Sequence, residues 1–245
     1  MIRIYHTSDL HDHRGIAPQI RRLRQRDPGL YVDCGDSLRG SQTVFFRREP
    51  IVEELDAAGC DLQAVGNREF NYVFSFVRRR AALMHHPLVC SNLIDLRGRE
   101  LPFKRDYAIE QADDGRMHRL RFCALLVPQY PCGSPWERIF GWRFLDPYDV
   151  LADFAATLRD EETLIVLSHL GLQSDRSLAR RVPRIDLLLG GHSHDTTPQP
   201  QRIGDVPVVH AGPYGRFVSR SELAAQSRES RLRLAGFALV PLLAA

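Results

Sequence analysis

The sequence has no run of 18 apolar residues, no CxxC pair and only one lysine, Lys104. Without a long apolar run, the chain offers no candidate transmembrane helix. It opens directly on a strand-like segment rather than on the charged and apolar regions of a secretory signal, and we therefore expect a cytoplasmic protein. Because 30 acidic residues offset the 33 basic ones, the arginine bias is attributed to genome composition, and a nucleic-acid partner is disfavoured.

The five cysteines are odd in number and form no paired spacing. This pattern favours reduced thiols in a reducing compartment over a disulfide framework. The composition, 44% hydrophobic and 26% charged with a formal net charge of +3, is that of a soluble globular protein and excludes disordered, collagen-like and coiled-coil chains. With 245 residues and no linker or internal repeat, the chain is expected to form a single domain, 1–245.

Short apolar segments alternate with longer helical patterns along the chain, which predicts a layered α/β fold with the sheet inside. Strands are predicted at 2–7, 29–33, 62–65, 88–90, 119–127, 163–168, 185–189 and 206–210, and helices near 16–27, 49–58, 72–84, 147–159 and 175–182. Segment 101–127 has the pattern of an antiparallel hairpin, and so do the strand-like segments 216–225 and 230–243 at the end of the chain, so the sheet is expected to be mixed.

Aspartate, histidine and asparagine collect just after the predicted strands, where layered α/β proteins bind ligands. Oxygen and imidazole donors in this mixture suit borderline divalent metals such as Mn, Zn, Fe or Co. Seven such residues exceed the needs of one ion, whereas two ions about 3.5–4 Å apart would use them all and would form the clamp of phosphoryl-transfer hydrolases. The seven candidate metal ligands are Asp9, His11, Asp36, Asn67, His169, His192 and His194.

Five segments that contain these residues resemble, in order, the signature of the calcineurin-like metallophosphoesterases: TSDLH (7–11), DCGDS (33–37), VGNREF (65–70), SHLG (168–171) and GGHSH (190–194). Two further segments, CSNL (90–93) and AGPYG (211–215), resemble the 5′-nucleotidase and UDP-sugar hydrolase branch. The resemblance implies a four-layer α/β/β/α sandwich with mixed sheets. Any one motif alone would be weak, but five in the same order are specific.

The resemblance also assigns the ligands and the reaction. Asp9, His11 and His194 would hold one ion, Asn67, His169 and His192 the other, and Asp36 would bridge the two. The implied activity is hydrolysis of a small phosphate ester, a nucleotide-like monoester or diester, by attack of a metal-bound hydroxide.

Two positions depart from the family pattern. Arg68 stands where the family has a histidine that helps the leaving group depart, and Asn71 stands at the place of the supporting aspartate. Arginine cannot be a general acid near neutral pH, but its guanidinium can bind phosphoryl oxygens and stabilise developing charge. We therefore expect Arg68, with Asn71 beside it, to act on the phosphoryl group without protonating anything. His210 and Tyr214 are further candidates for substrate contact.

Three alternatives stay open from the sequence. The departures at residues 68 and 71 also fit a catalytically retired phosphatase fold that serves as a metal-dependent binding or regulatory module. Two-domain relatives carry a C-terminal domain that grips the nucleoside, and we expect none here, which leaves nucleoside specificity open. The aromatic residues Trp136, Phe140, Trp142 and Phe144 are predicted to lie in a loop, either as core or as a lid over the site.

Overall fold

The computed structural model describes residues 1–225 and 231–242, which contain fourteen strands in two large sheets and one small pair. The strands are β1 (Ile2–Thr7), β2 (Leu30–Asp33), β3 (Leu62–Ala64), β4 (Leu88–Val89), β5 (Leu93–Asp95), β6 (Asp106–Asp113), β7 (Arg116–Leu126), β8 (Trp142–Phe144), β9 (Thr163–His169), β10 (Leu187–Gly190), β11 (Gln201–Ile203), β12 (Val206–His210), β13 (Phe217–Ala225) and β14 (Leu232–Pro241).

Both large sheets are mixed, as predicted. The first has the order β14-β13-β1-β2-β3-β4. Strands β1 to β4 are parallel to one another, and β13 pairs antiparallel with both of its neighbours, β1 and β14. The second has the order β11-β12-β10-β9-β7-β6, with β7, β9, β10 and β12 parallel and antiparallel strands at both edges. Parallel strands end at the same edge of a sheet, so the loops that follow them lie side by side.

The six helices of the described residues are α1 (Ala17–Arg26), α2 (Ile51–Ala58), α3 (Phe74–Ala81), α4 (Pro135–Phe140), α5 (Pro147–Ala156) and α6 (Leu172–Arg181). Local chemistry sets several of their ends. The Asp146 carboxylate accepts hydrogen bonds from the backbone N–H of Tyr148 and Asp149 and so begins α5. Gly59 follows α2 with a left-handed φ of 72°, a conformation that ends a helix at little cost for glycine. None of the helices in this part of the chain is long and apolar enough to cross a membrane.

Three buried clusters show how the layers stack. Ile4 of the first sheet and Phe122 of the second belong to one cluster between the sheets. Tyr5, the next residue along β1, points to the opposite face, where it packs in a cluster with α1, α2 and α3. A third cluster joins the outer face of the second sheet to α5 and α6. The architecture is therefore the four-layer α/β/β/α sandwich.

The structure corrects the prediction for the aromatic segment and gives observed limits for the last predicted strand. The aromatic segment predicted as a loop contains α4 and β8, because Pro135 begins a helix and Gly141, with a φ of 81°, ends it. Trp142 and Phe144 of β8 are buried, so the interpretation of these two as core residues is right. The predicted last strand is observed as Leu232–Pro241, and residues 230 and 243 of that prediction lie outside the described residues.

Candidate metal centre

The strand ends of the two sheets carry the seven candidate ligands to one edge of the sandwich. Asp9 and His11 follow β1, Asp36 follows β2, Asn67 follows β3, His169 ends β9, and His192 and His194 follow β10. The backbone N–H of His192 donates to both carboxylate oxygens of Asp9, at 3.1 and 3.0 Å. A loop of the second sheet is thus bound directly to a loop of the first.

Asp9, His11 and His194 form a first group of side chains that could hold a metal ion, with ligand atoms all within 4.8 Å of one another. The Nε2 atoms of His11 and His194 are 3.1 Å apart, and Asp9 Oδ1 lies 3.9 Å and 3.7 Å from them. Two imidazole nitrogens bound to one ion at tetrahedral angles are separated by about 3.3 Å. The spacing of the two histidines therefore fits a shared ion.

Asp9, Asp36 and His169 form a second such group. His169 Nδ1 bonds the backbone oxygen of Cys34 at 2.7 Å, which leaves Nε2 directed to the site, the arrangement usual for metal-binding histidines. This Nε2 is fully buried and lies 3.3 Å from Asp36 Oδ1, without forming a well-aligned hydrogen bond among the described residues. A cation bound between the two atoms would satisfy both of them.

His192 lies beside the second group, with its ring 5.0 Å from the His169 ring, edge to face. Asn67 immediately precedes Arg68, whose backbone N–H donates to Asp36 Oδ1 at 2.8 Å, and Asn67 Oδ1 accepts a hydrogen bond from Gln129 Nε2 at 3.3 Å. The carboxylate common to both groups is Asp9, whereas the family resemblance implies Asp36 as the bridge. The bridging role of Asp36 stays a prediction.

Backbone conformation at the centre is unusual. Left-handed φ angles between 48° and 77° occur at five of the seven candidate ligands: Asp9, His11, Asp36, His192 and His194. Residues other than glycine rarely adopt this region, and such residues cluster where function fixes the backbone. The unusual backbone thus coincides with the candidate ligands themselves.

Glu69 holds two of the ligand loops in place. Its buried carboxylate accepts the backbone N–H groups of Gly66 and Asp36 at Oε2, and those of Ser37 and Leu38 at Oε1, over 2.8–3.3 Å. Gly66 is required at its position because a Cβ there would overlap the backbone N and the carboxylate of Asp36. The loops after β2 and β3 are therefore packed backbone to backbone.

Burial and charge set the protonation of the histidines. Burial, with the positive charge of Arg68, lowers the pKa of His11 to about 4, and burial also lowers the pKa of His192. Both rings are thus neutral near pH 7, the form that binds metals. Burial would lower the pKa of His169 as well, but the neighbouring Asp36 carboxylate outweighs it and raises that pKa to about 9.

Arg68 and Asn71 both contact backbone in the loop 38–44. Arg68 donates through Nη1 to the carbonyl oxygens of residues 38, 39 and 40, at 3.0–3.3 Å, and its Nε lies 4.0 Å from Asp36 Oδ2. Asn71 donates to the carbonyl of Ser41 and accepts from the N–H of Val73. The guanidinium is therefore held at the edge of the centre, while both polar atoms of Asn71 are taken up by backbone groups.

Tyr214 and His210 are placed differently. The Tyr214 ring lies against His11 and His194, with ring centroids 5.5 and 5.4 Å away, so it borders the first group. His210 is buried, and its Nε2 bonds the Asp175 carboxylate at 2.7 Å. Tyr214 is thus positioned beside the ligands, and His210 is enclosed by protein.

Two residues of the site carry no strong sequence signal. Glu69 lies inside the VGNREF segment, but its partners are backbone N–H groups that any sequence would supply. Gln129 contacts Asn67 from 62 positions away along the chain, and no pattern around it indicates a site. Contacts between distant loops of this kind become visible only in the folded protein.

Comparison with known proteins agrees with this geometry. No family model matches the chain. The metallophosphoesterase YunD of Bacillus subtilis is 30% identical over 241 residues, which cover 92% of this chain and 50% of the relative. Protein UshA of Yersinia enterocolitica is 24% identical, covering 98% of this chain and 52% of the relative. The chain spans about half or less of the length of the curated relatives it matches.

Solved structures show the same fold. A 5′-nucleotidase precursor from Thermus thermophilus superposes with a TM-score of 0.77 at 21% identity, over 99% of this chain and 54% of that one. The calcineurin-like phosphoesterase YfkN of Bacillus subtilis has a TM-score of 0.77 at 18% identity, over 98% and 90%. The chain is thus homologous to metallophosphoesterases and 5′-nucleotidases over about half of their length or less, and it shares its fold with 5′-nucleotidase and calcineurin-like phosphoesterase structures.

Proposed function

We propose that the chain is a metal-dependent phosphoesterase, built as one domain, that uses two divalent ions to hydrolyse small phosphate esters of the nucleotide type. The observation that carries the proposal is the convergence of two ligand groups on Asp9 at the shared edge of the sheets. The names of similar proteins support the substrate class, since they include 5′-nucleotidases and a 2′,3′-cyclic-nucleotide 2′-phosphodiesterase/3′-nucleotidase of Haemophilus influenzae.

Asp9, His11 and His194 would hold one ion, and Asn67, His169 and His192 the other, with Asp36 between them. When bound, the two ions supply a Lewis-acid clamp on the phosphoryl group and activation of a water nucleophile. The donor set of carboxylate, amide and imidazole fits Mn, Zn, Fe or Co.

The chain's own residues prepare the site for metal ions. Neutral His11 and His192 present free nitrogen lone pairs, since burial lowers the pKa of each. The bond from His169 to the Cys34 carbonyl fixes that ring in one orientation. Tyr214 closes one side of the first group.

Arg68 contributes positive charge at the edge of the centre and no proton. Its three carbonyl contacts hold the guanidinium within 4.0 Å of Asp36, close enough to lower the pKa of His11. A guanidinium so placed attracts phosphoryl oxygens and stabilises charge that develops on them. Because no side chain at this position protonates the leaving group, esters whose leaving groups depart as stable anions are favoured over alkyl monoesters, and diesters are accepted.

The test compares three substrates in protein loaded with Mn²⁺: para-nitrophenyl phosphate, bis-para-nitrophenyl phosphate and an alkyl monoester. Asp36→Asn is the blank and should lose activity on all three. Arg68→His should raise the rate on the alkyl monoester by up to about 10²-fold, because it restores a general acid. An alkyl rate left unchanged by Arg68→His at constant metal content would refute the role given to Arg68.

A retired phosphatase fold that binds metal without turnover is the second candidate. It is favoured by Arg68 and Asn71 at the two departing positions and by the engagement of both side chains with backbone groups. Two bound ions without hydrolysis of either nitrophenyl ester would establish this candidate in place of the enzyme.

A further inference from the structure

A pocket of about 220 Å³ opens beside the metal centre, and its lining is almost entirely aromatic. Trp136 of α4 is 50% exposed there, although the other tryptophan of the chain is fully buried. Pockets that enclose a whole small ligand measure about 300–1,000 Å³, so this one has room for a single ring system. The lining residues are Tyr72, Gln129, Tyr130, Trp136 and Phe140.

The four rings are nearly parallel. The Tyr72 and Phe140 centroids are 4.5 Å apart with planes at 28°, and those of Trp136 and Phe140 are 5.8 Å apart at 16°. Tyr130 lies 6.3 Å from Tyr72, also at 16°. The rings thus stack on one another, and the half-exposed Trp136 extends this aromatic surface to solvent, where a flat aromatic group can stack on it.

Hydrogen bonds to the buried strand β8 hold the rings of the aromatic pocket in place. Trp142 donates from its indole nitrogen to the carbonyl of Tyr72 at 2.9 Å, and the Tyr130 hydroxyl donates to the carbonyl of Trp142 at 2.8 Å. Trp142 itself packs edge to face on the buried Phe70. Because these rings are ordered before a ligand arrives, binding there loses little conformational entropy.

Gln129 joins the aromatic pocket to the metal centre. It lines the pocket, and its Nε2 donates to Oδ1 of Asn67 at 3.3 Å, while its Oε1 accepts from Gln42 at 3.0 Å. A group that occupies the pocket is thus one side chain away from a candidate metal ligand. A substrate with its phosphate at the candidate metal ligands would therefore reach the pocket by extending over Gln129.

We propose that the aromatic pocket binds the non-phosphate part of the ester by stacking, and that the substrate carries a planar aromatic ring, as in a nucleobase or an aryl group. This inference rests on the proposed function, because it places the phosphate at the metal centre. It assigns substrate selection to Trp136, Phe140 and Tyr72 of this chain.

The first experiment uses adenosine 5′-monophosphate and ribose 5-phosphate, which carry the same phosphate and differ by the base, as competitive inhibitors of para-nitrophenyl phosphate hydrolysis. Trp136→Ala should raise Ki for the nucleotide by about 5- to 150-fold, the effect of losing one stacking ring, and so reduce the preference of the site for the nucleotide over ribose 5-phosphate. Ile139→Ala is the matched control, since Ile139 is 56% exposed on the same helix and does not line the pocket. A preference that survives Trp136→Ala overturns the proposal. Phenyl phosphate, as a third inhibitor, distinguishes a nucleobase from a simple aryl group.

A second measurement does not depend on turnover. Adenosine, which has no phosphate, should quench the fluorescence of exposed Trp136 in both wild-type and Asp36→Asn protein, and Trp136→Phe should abolish the effect. Quenching without ester hydrolysis would retain the stacking site and refute the proposed enzyme. Hydrolysis without quenching, with an unchanged substrate preference in Trp136→Ala, would retain the enzyme and refute the stacking site.

Discussion

Replacement of Glu69 by glutamine should damage the metal centre without touching any candidate ligand. The Glu69 carboxylate is 1% exposed and receives four backbone N–H groups, two on each oxygen. Glutamine has the same shape but only one oxygen. Its amide nitrogen would face two backbone donors, so either the loop after β2 or the turn at Gly66 must move.

The size of the effect follows from the hydrogen bonds lost. A bond to a charged group contributes about 1.5–3 kcal/mol, so the loss of two costs about 3–6 kcal/mol of folding free energy. For a protein of this size, that corresponds to a fall in Tm of about 6–24 °C. Asp36 lies on the loop after β2 and Asn67 follows Gly66, so displacement of either loop moves a candidate ligand; Mn²⁺ affinity should therefore fall about 10- to 100-fold, as it does when residues that orient metal ligands are removed.

Isothermal titration with Mn²⁺ and thermal unfolding without metal measure the two effects separately. Glu49→Gln is the matched control, because Glu49 is also buried and accepts the backbone N–H groups of Arg39 and Gly40, away from Gly66 and Asp36. It should lower Tm and change Mn²⁺ affinity much less than Glu69→Gln. Equal losses of affinity in the two variants, or none in Glu69→Gln, would refute the positioning role of Glu69.

Two further variants test the interior. Burial raises the pKa of Asp33 to about 7, so the ionised form is disfavoured in the folded state. The contribution of Asp33 to the free energy of unfolding is therefore complete below about pH 4, and it falls by up to roughly 4 kcal/mol as the pH rises to 7. Asp33→Asn should flatten this slope in urea unfolding between pH 5 and 8, and a parallel slope would contradict the assignment. Gly190→Ala should cost about 1–3 kcal/mol, because a Cβ there would overlap His210 and Asp175; an unchanged Tm would show that the contact relaxes freely.

Local patterns were sufficient to predict most of the fold. Short apolar segments locate β1 and β12 at their observed bounds, and the glycines after β2, β3 and β10 indicate where the strands stop. The segment containing α4 and β8 was predicted as a loop because a helix of six residues and a strand of three are too short to establish a period. The aromatic pocket was missed for the same reason.

The sequence indicated the residue types of the metal centre but not its full arrangement. Asp9, His11 and His194 lie close together because all three follow parallel strands, β1 and β10, in their respective sheets. The spacing of the motifs does not reveal that Asp9 belongs to both groups, or that Arg68 is held by three carbonyl oxygens. Those facts depend on loop conformation, which backbone hydrogen bonds set.

The left-handed backbone at the ligands has a consequence for engineering and for natural drift. At about 1 kcal/mol for each of the five residues, these turns consume about 5 kcal/mol, a large part of the stability of an ordinary domain. A screen for heat resistance in the absence of metal would therefore select glycine at His194, whose side chain is exposed, and remove a candidate ligand from the centre. With metal present, the same screen would keep the ligands, because binding stabilises only the folded chain. Folding stability thus favours glycine at such a position and metal binding favours the ligand, so the presence of the ion during selection determines which residue is kept.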